Sequence, residues 1–183
     1  GESFFHRMSN VSGIIRRSCV ERIEILPDGT MPPWEMTALG FSDALKPYEE
    51  TPAELTCVLK GGALIAERTP FERVITNIQD GCVMGYKYFD FGADYGSKTM
   101  QLFADVMGFG CACDVHVRLD AEDGEEIGCF HVGRGAECIK TRVKAVTGRH
   151  ALYFAVTTHY SGWTGDFFAG RCLMEFKKFV FMK

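Results

Sequence analysis

From Leu55 onward, apolar and polar residues exchange with a period of two, while the 3.6-residue spacing of an amphipathic helix is hard to find. "CDVHVRLDA" sets Val115, Val117 and Leu119 on one face and His116, Arg118 and Asp120 on the other. "CIKTRVKAV" opposes Ile139, Val143 and Ala145 to Lys140, Arg142 and Lys144. "HALYFAVTT" offers Leu152, Phe154 and Val156, and "KTMQLFADVM" offers Met100, Leu102, Ala104 and Val106. Each pattern predicts an antiparallel strand with one face in a core and the other towards water.

Turn signals separate these runs. In "DAEDGEE" the Asp123-Gly124 pair predicts a tight hairpin with positive backbone angles, and "VTGRH" at 146–150 predicts another turn. Seven or eight short strands without intervening helices predict an all-β fold, an antiparallel β-sandwich of the jelly-roll, galactose-binding-domain-like kind. In the last run, "CLMEFKKFVFM", Met174 and Phe176 share a face and Phe179 and Phe181 continue it one residue out of phase. A bulge at Lys177 and Lys178 would let all four face one core. The run "GYKYFDFG", 85–92, holds four rings that strict alternation divides: Tyr86 and Tyr88 with Met84, Phe89 and Phe91 with Val83. They read as framework, because opposite faces cannot make one platform.

Residues 1–46 read differently. They contain a strand-like "ERIEIL", the turn "PDGT" and a Pro-Pro pair, with too little apolar surface for a domain. The expected division is therefore a tail or linker segment over 1–46 and a β-sandwich over 47–183.

Composition narrows the function classes. A formal net charge of -4, with 20 basic residues among 24 acidic ones, gives no electrostatic footprint for nucleic acid or anionic membranes. No apolar run approaches the roughly 20 residues of a spanning helix, and "GESFFHRMSN" lacks a signal peptide's apolar centre. The eight cysteines are too scattered for a zinc ribbon or finger, and several sit within strand runs as small apolar side chains. That usage leans towards a reducing, cytoplasmic compartment, with secretion open if the chain is part of a longer one.

"FFHRMSN" followed by "RRSCVERIEILPDGTMPPWEMTALG" resembles the closing segment of the five-bladed propeller of glycoside hydrolase family 43, the β-xylosidase and arabinofuranosidase group. The remainder, from "TPAELTCVLKGG" through "NIQDGCVMGYKYFDFG" and "GRHALYFAV" to "LMEFKKFVF", resembles family 6 carbohydrate-binding modules, commonly fused behind such propellers. The resemblance implies a non-catalytic module of a bacterial hydrolase acting on plant xylan or arabinan. Its partners would be an oligosaccharide or polysaccharide and the catalytic propeller. The family's catalytic carboxylates lie on earlier blades; His6 and Arg16 or Arg17 match late propeller positions beside the active-site channel, or are ordinary surface residues.

Family 6 modules clamp sugars with an aromatic opening an "NGDY" strand, a tryptophan in the loop before the seventh strand, and an asparagine before a final "DWF". Those positions carry Val83, Ala136 or Glu137, and Glu175, so the usual clamp is altered throughout. Trp163 and Tyr160, in the glycine-rich loop "THYSGWTGDFF", become the stacking candidates, with His159, Asp166 and Glu175 supplying hydrogen bonds. The other reading of Trp163 is a cap on the sandwich core. The resemblance also implies calcium, with Glu54 as ligand, but Lys177 stands where the final aspartate would be. The expectation is that Lys177 replaces the metal and pairs with Glu54, leaving no cofactor. The reading from a different class is a structural sandwich that supports the propeller and binds no sugar, which exposed Phe4, Phe5 or Trp34 would favour.

Overall fold

The computed structural model describes the backbone of residues 2–9 and 12–183, and side chains other than those of 5–18 and 136. The readings placed on Phe5, His6, Arg16, Arg17 and Ala136 concern side chains outside the described residues.

The chain opens on an antiparallel hairpin of β1 (Glu2–Ser9) and β2 (Ser12–Arg22). There follow β3 (Thr51–Pro52), a single 3-10 turn (Ala53–Leu55), β4 (Val58–Lys60), β5 (Leu64–Thr69), β6 (Glu72–Ile78) and β7 (Val83–Asp90). Then come β8 (Thr99–Leu119), β9 (Glu126–Lys144), β10 (Arg149–Thr157), the helix α1 (Gly162–Phe168) and β11 (Met174–Met182). The named strands of the main sheet pair antiparallel in the order β4-β7-β10-β8-β11-β6-β5, with β9 along β8 and β3 on β11.

Two runs expected as separate strands are one: β8 is 21 residues long. Its first half lies against β11 and its second against β10, while β9 follows it along both. This hairpin bends from one layer of the sandwich into the other where the ladder breaks, between Phe109 and Cys113. Glycine is required there. A Cβ on Gly108 would lie 1.8 Å from the Gly133 carbonyl oxygen, and Gly110 and Gly135 adopt φ of 95° and 103°.

The alternation holds on both sides of that bend. Met100, Leu102, Ala104 and Val106 are buried, as are Val115, Val117 and Leu119. The two layers meet in a cluster of rings: Phe154 lies 4.9 Å from Phe179, 5.1 Å from Phe176 and 5.9 Å from Tyr86, with near-perpendicular or tilted planes. The expected bulge in β11 is present, since the register shifts between Phe176 and Lys178 and Met174, Phe176, Phe179 and Phe181 are all buried. Cys82, Cys111 and Cys113 join the core, and burial, with Asp114 nearby, pushes the Cys113 thiol up to about 12.

Three local expectations are corrected. In "GYKYFDFG" the register shifts between Tyr86 and Phe89, where two residues of β7 oppose one of β10. That bulge turns Phe89 and Phe91 to the same core as Tyr86, and leaves Tyr88 facing outwards under Arg149, whose guanidinium lies 5.0 Å from the ring. In "DAEDGEE" the positive angle is at Asp120, φ 64°, not at the Asp123-Gly124 pair. Gly124 is needed instead for room, because a Cβ would meet the Leu119 carbonyl oxygen at 1.9 Å. "ERIEIL" is strand only through Arg22; beyond it Ile25 and Leu26 are exposed.

Past the "PDGT" turn, where Leu26 N–H donates to the Thr30 carbonyl at 2.9 Å, the chain returns to the sandwich. Leu45 exchanges backbone bonds with Tyr88 and Asp90 on β7, and Ala38 N–H donates to the Lys87 carbonyl at 2.9 Å. Glu35 accepts from Lys87 Nζ at 2.5 Å and the Tyr88 hydroxyl at 2.6 Å. Those two donors hold the Glu35 carboxyl below its ordinary value.

The ring cluster concentrates the stability. Phe154→Ala is expected to lower unfolding free energy by about 3–5 kcal/mol, while the same change at exposed Phe167 stays within about 0.5 kcal/mol. Urea denaturation of both variants at one pH measures the contrast.

Candidate functional site

Between the end of β10 and the start of β11 the chain forms a projection at one end of the sandwich. "SGWTGDFF" is a short helix, α1, and not the loop expected from its glycines. Residues four apart share a helix face, so Trp163 and Phe167 stack on each other with an offset, centroids 5.9 Å apart and planes within 22°. Both point to solvent: Trp163 is 79% exposed and Phe167 52%. The reading of Trp163 as a core cap is therefore excluded. Phe168 turns inward instead, packing on Tyr160 at 4.4 Å. Arg171 follows Gly170, φ 73°, and lays its guanidinium 4.3 Å from the Phe167 centroid. Phe109, 49% exposed, reaches the same end, its N–H bonded to the Leu173 carbonyl at 2.9 Å.

The root of the projection is polar and firmly tied. His159 Nε2 meets Asp114 Oδ2 at 2.5 Å, and His131 Nδ1 meets the other oxygen at 2.8 Å. Thr158 N–H donates to Asp80 at 2.8 Å, and Ala112 N–H donates to the Tyr160 hydroxyl at 3.3 Å. Partial burial raises the Asp114 carboxyl, but the hydrogen bonds from His131 and His159 outweigh it and leave it below its ordinary value. Asp114 and His131 were not singled out by sequence. They face each other across β8 and β9, and their only sequence signal is an outward position in two alternating runs.

The sequence-nominated residues are only partly assembled. Trp163 and Tyr160 belong to one continuous ring system through Phe167 and Phe168. Asp166 is exposed on the same helix. His159 sits at the root, already bonded to Asp114, and does not stand over a ring. Glu175 is buried, accepting from Thr76 Oγ1 at 2.9 Å and ion-paired with Arg68, so its oxygens serve the fold.

The expected Lys177–Glu54 pair does not form. Lys177 Nζ lies 3.3 Å from Glu72, and Glu54 faces Arg73 at 3.6 Å. An arginine beside the one retained acid, and no converging group of three His, Cys, Asp or Glu among the described residues, do not fit a calcium ion that wants six to eight oxygens. Glu54 and Arg73 border instead a recess of about 680 Å³ beneath residues 36–45, with no aromatic ring among the described residues that line it.

No protein-family model matches the chain. It is 32% identical over 109 residues to a xylosidase/arabinosidase of Thermoclostridium stercorarium, an alignment covering 48% of this chain and 23% of that protein. Among solved structures, the family 6 carbohydrate-binding module of Clostridium cellulolyticum, in complex with xylose, superposes with a TM-score of 0.63 at 21% identity over 76% of this chain and 100% of the module. A β-1,3-glucan-binding family 6 module from Bacillus halodurans gives 0.62 at 18% identity, over 77% and 100%. The glycoside hydrolase family 43 arabinoxylan arabinofuranohydrolase of Bacillus subtilis, in complex with cellotetraose, gives 0.62 at 23% identity. There the match covers 92% of this chain and 34% of the enzyme. The chain thus has the β-sandwich fold of family 6 modules and spans about a quarter to a third of the longer relatives it resembles.

The clamp on Asp114 has a definite pH signature. A carboxyl lowered on folding contributes stability above its unfolded value, near 3.9, and that contribution is lost as pH falls through the folded one. Asp114→Asn should cost about 1 kcal/mol at pH 6, and the gap to the parent protein should narrow on acidifying below about 4. Paired urea titrations at the two pH values check this.

Proposed function

We propose that residues 47–183 are a non-catalytic carbohydrate-binding module, and that residues 1–46 are the closing segment of the propeller it accompanies. The module would direct a family 43-like hydrolase to xylan- or arabinan-type polysaccharide, the catalytic carboxylates belonging to the propeller. The fold supports the first part, since the module matches carry ligands such as xylose. The wider coverage of the arabinofuranohydrolase, 92% against 76% for an isolated module, supports the second.

The observation that carries the sugar reading is the outward, nearly parallel pair Trp163 and Phe167 on a projection fixed at its root. Flat apolar faces of this size stack on pyranose rings, and a well-anchored platform loses little freedom on binding. It also differs from the altered clamp positions. Val83 is half-buried in β7, Glu137 is exposed in β9, and Glu175 is engaged in the fold.

One observation favours the structural reading. Phe4 and Phe41, 6.3 Å apart, are exposed together with Ile25, Met31 and Trp34, all within residues 1–46. A propeller packed on that segment would cover them.

Fluorescence titration with xylo-, arabino- and gluco-oligosaccharides, on a Trp34→Phe background so that Trp163 alone reports, separates the two. Saturable quenching by one of the series is expected, with Trp163→Ala, followed by calorimetry, weakening binding about tenfold. No response at millimolar sugar would leave the structural reading standing alone.

A further inference from the structure

The rings of α1 are accompanied by cations that form no ion pair among the described residues. Arg171 lies over Phe167 and is exposed, and among the described residues it forms no ion pair. Arg134, on β9, is the register partner of Phe109, so the two side chains share a face, and it too forms no ion pair among the described residues. Phe109 is joined to Leu173, two residues beyond Arg171, through its backbone N–H. Arg171 thus lies on the rings of α1, and Arg134 shares a strand face with Phe109, whose backbone is bonded to the segment that follows α1. On the sheets Lys60, Lys87, Lys144 and Arg118 have carboxylates within 4 Å, while Lys140 and Arg149 lie over the rings of Phe103 and Tyr88; among these ring-bound cations Arg171 is the one that accompanies the exposed rings of α1.

Resting on the carbohydrate reading, we infer that this platform selects glycans bearing uronic acid, with Arg171 as the principal carboxylate receptor and Arg134 as the second. A guanidinium presents a planar fork of donors that a carboxylate can accept in pairs. Arg171 covers a face of Phe167, which leaves the more exposed Trp163 as the ring on which a pyranose would stack, with the fork held on the neighbouring ring of the same helix for a carboxylate that the sugar carries. A neutral sugar would stack equally well and leave the cations hydrated. The chain's formal charge of -4 opposes any acidic ligand at long range, which makes the selectivity a local effect at this end of the fold. The acids at the projection differ in their influence. Asp114 is bonded by His131 and His159, whereas Asp166 is exposed on α1 and forms no ion pair among the described residues, so its charge weakens attraction to an anion.

The test is calorimetric titration of the whole chain with xylotetraose and with xylotriose carrying one glucuronic acid, at low salt and again at 0.5 M NaCl. The acidic oligosaccharide should bind about tenfold more tightly at low salt, and salt should remove most of that margin. Arg171→Gln should abolish the preference, read as the ratio of the two affinities, Arg134→Gln should reduce it partly, and Asp166→Asn should increase it. Equal affinity for the two ligands, or a preference unchanged in Arg171→Gln, would overturn the inference and leave the carbohydrate reading intact. Binding of neither ligand would overturn the inference and, with it, the xylan part of the carbohydrate reading.

Discussion

The contact between Gly108 and the Gly133 carbonyl is the constraint on which the molecule depends. Any side chain at position 108 would collide with backbone, so the pair can bend together only as glycine against peptide. Because they bend, β8 and β9 serve both layers and one hairpin closes the sandwich. The same bend brings Phe109 and Arg134 to the end of the fold where β10 gives way to α1. The ring cluster of Phe154, Phe176, Phe179 and Tyr86 can fill the interior because that hairpin sets the two layers face to face.

Regular ladder was legible in the sequence, and interruptions were legible only in some places. Alternation placed Met100 to Val106 and Val115 to Leu119 on their buried faces, since nothing within those runs disturbs the pleat. The β11 bulge announced itself because apolar residues on both sides of Lys177 are out of phase. The bulge in β7 did not, because "YKYFDF" is aromatic on either phase and fits strict alternation as well as the observed shift. At Asp120 the sequence pointed to the familiar Asp-Gly pair, whereas the closed turn places its positive angle three residues earlier.

The candidate site divides along similar lines. Trp163 stood out because it is a tryptophan in a segment without alternation, and it is indeed presented to solvent. Its anchoring could not be read. Asp114 is 17 residues from His131 and 45 from His159, and only the register of β8 with β9 and β10 makes them neighbours. Glu175 and Lys177 were assigned by alignment to a motif, yet their charges are taken up by Arg68 and Glu72 on strands far away in sequence. A motif position fixes where a residue stands in a strand. The partner it finds depends on the neighbouring strand.

Sugar binding and support of a propeller need not exclude each other. The apolar side chains exposed in residues 1–46 and the rings of α1 are carried by separate parts of the chain, with different anchors. The first segment is joined to the sandwich through Leu45, Ala38 and Glu35 on β7. The second is fixed through Asp114, Asp80 and Tyr160 at the loop-bearing end. Covering Phe4, Phe41 and Trp34 with a catalytic domain would bury apolar surface without calling on Trp163, Phe167 or Arg171. A module attached in that way could hold its enzyme by one surface and its polysaccharide by the other.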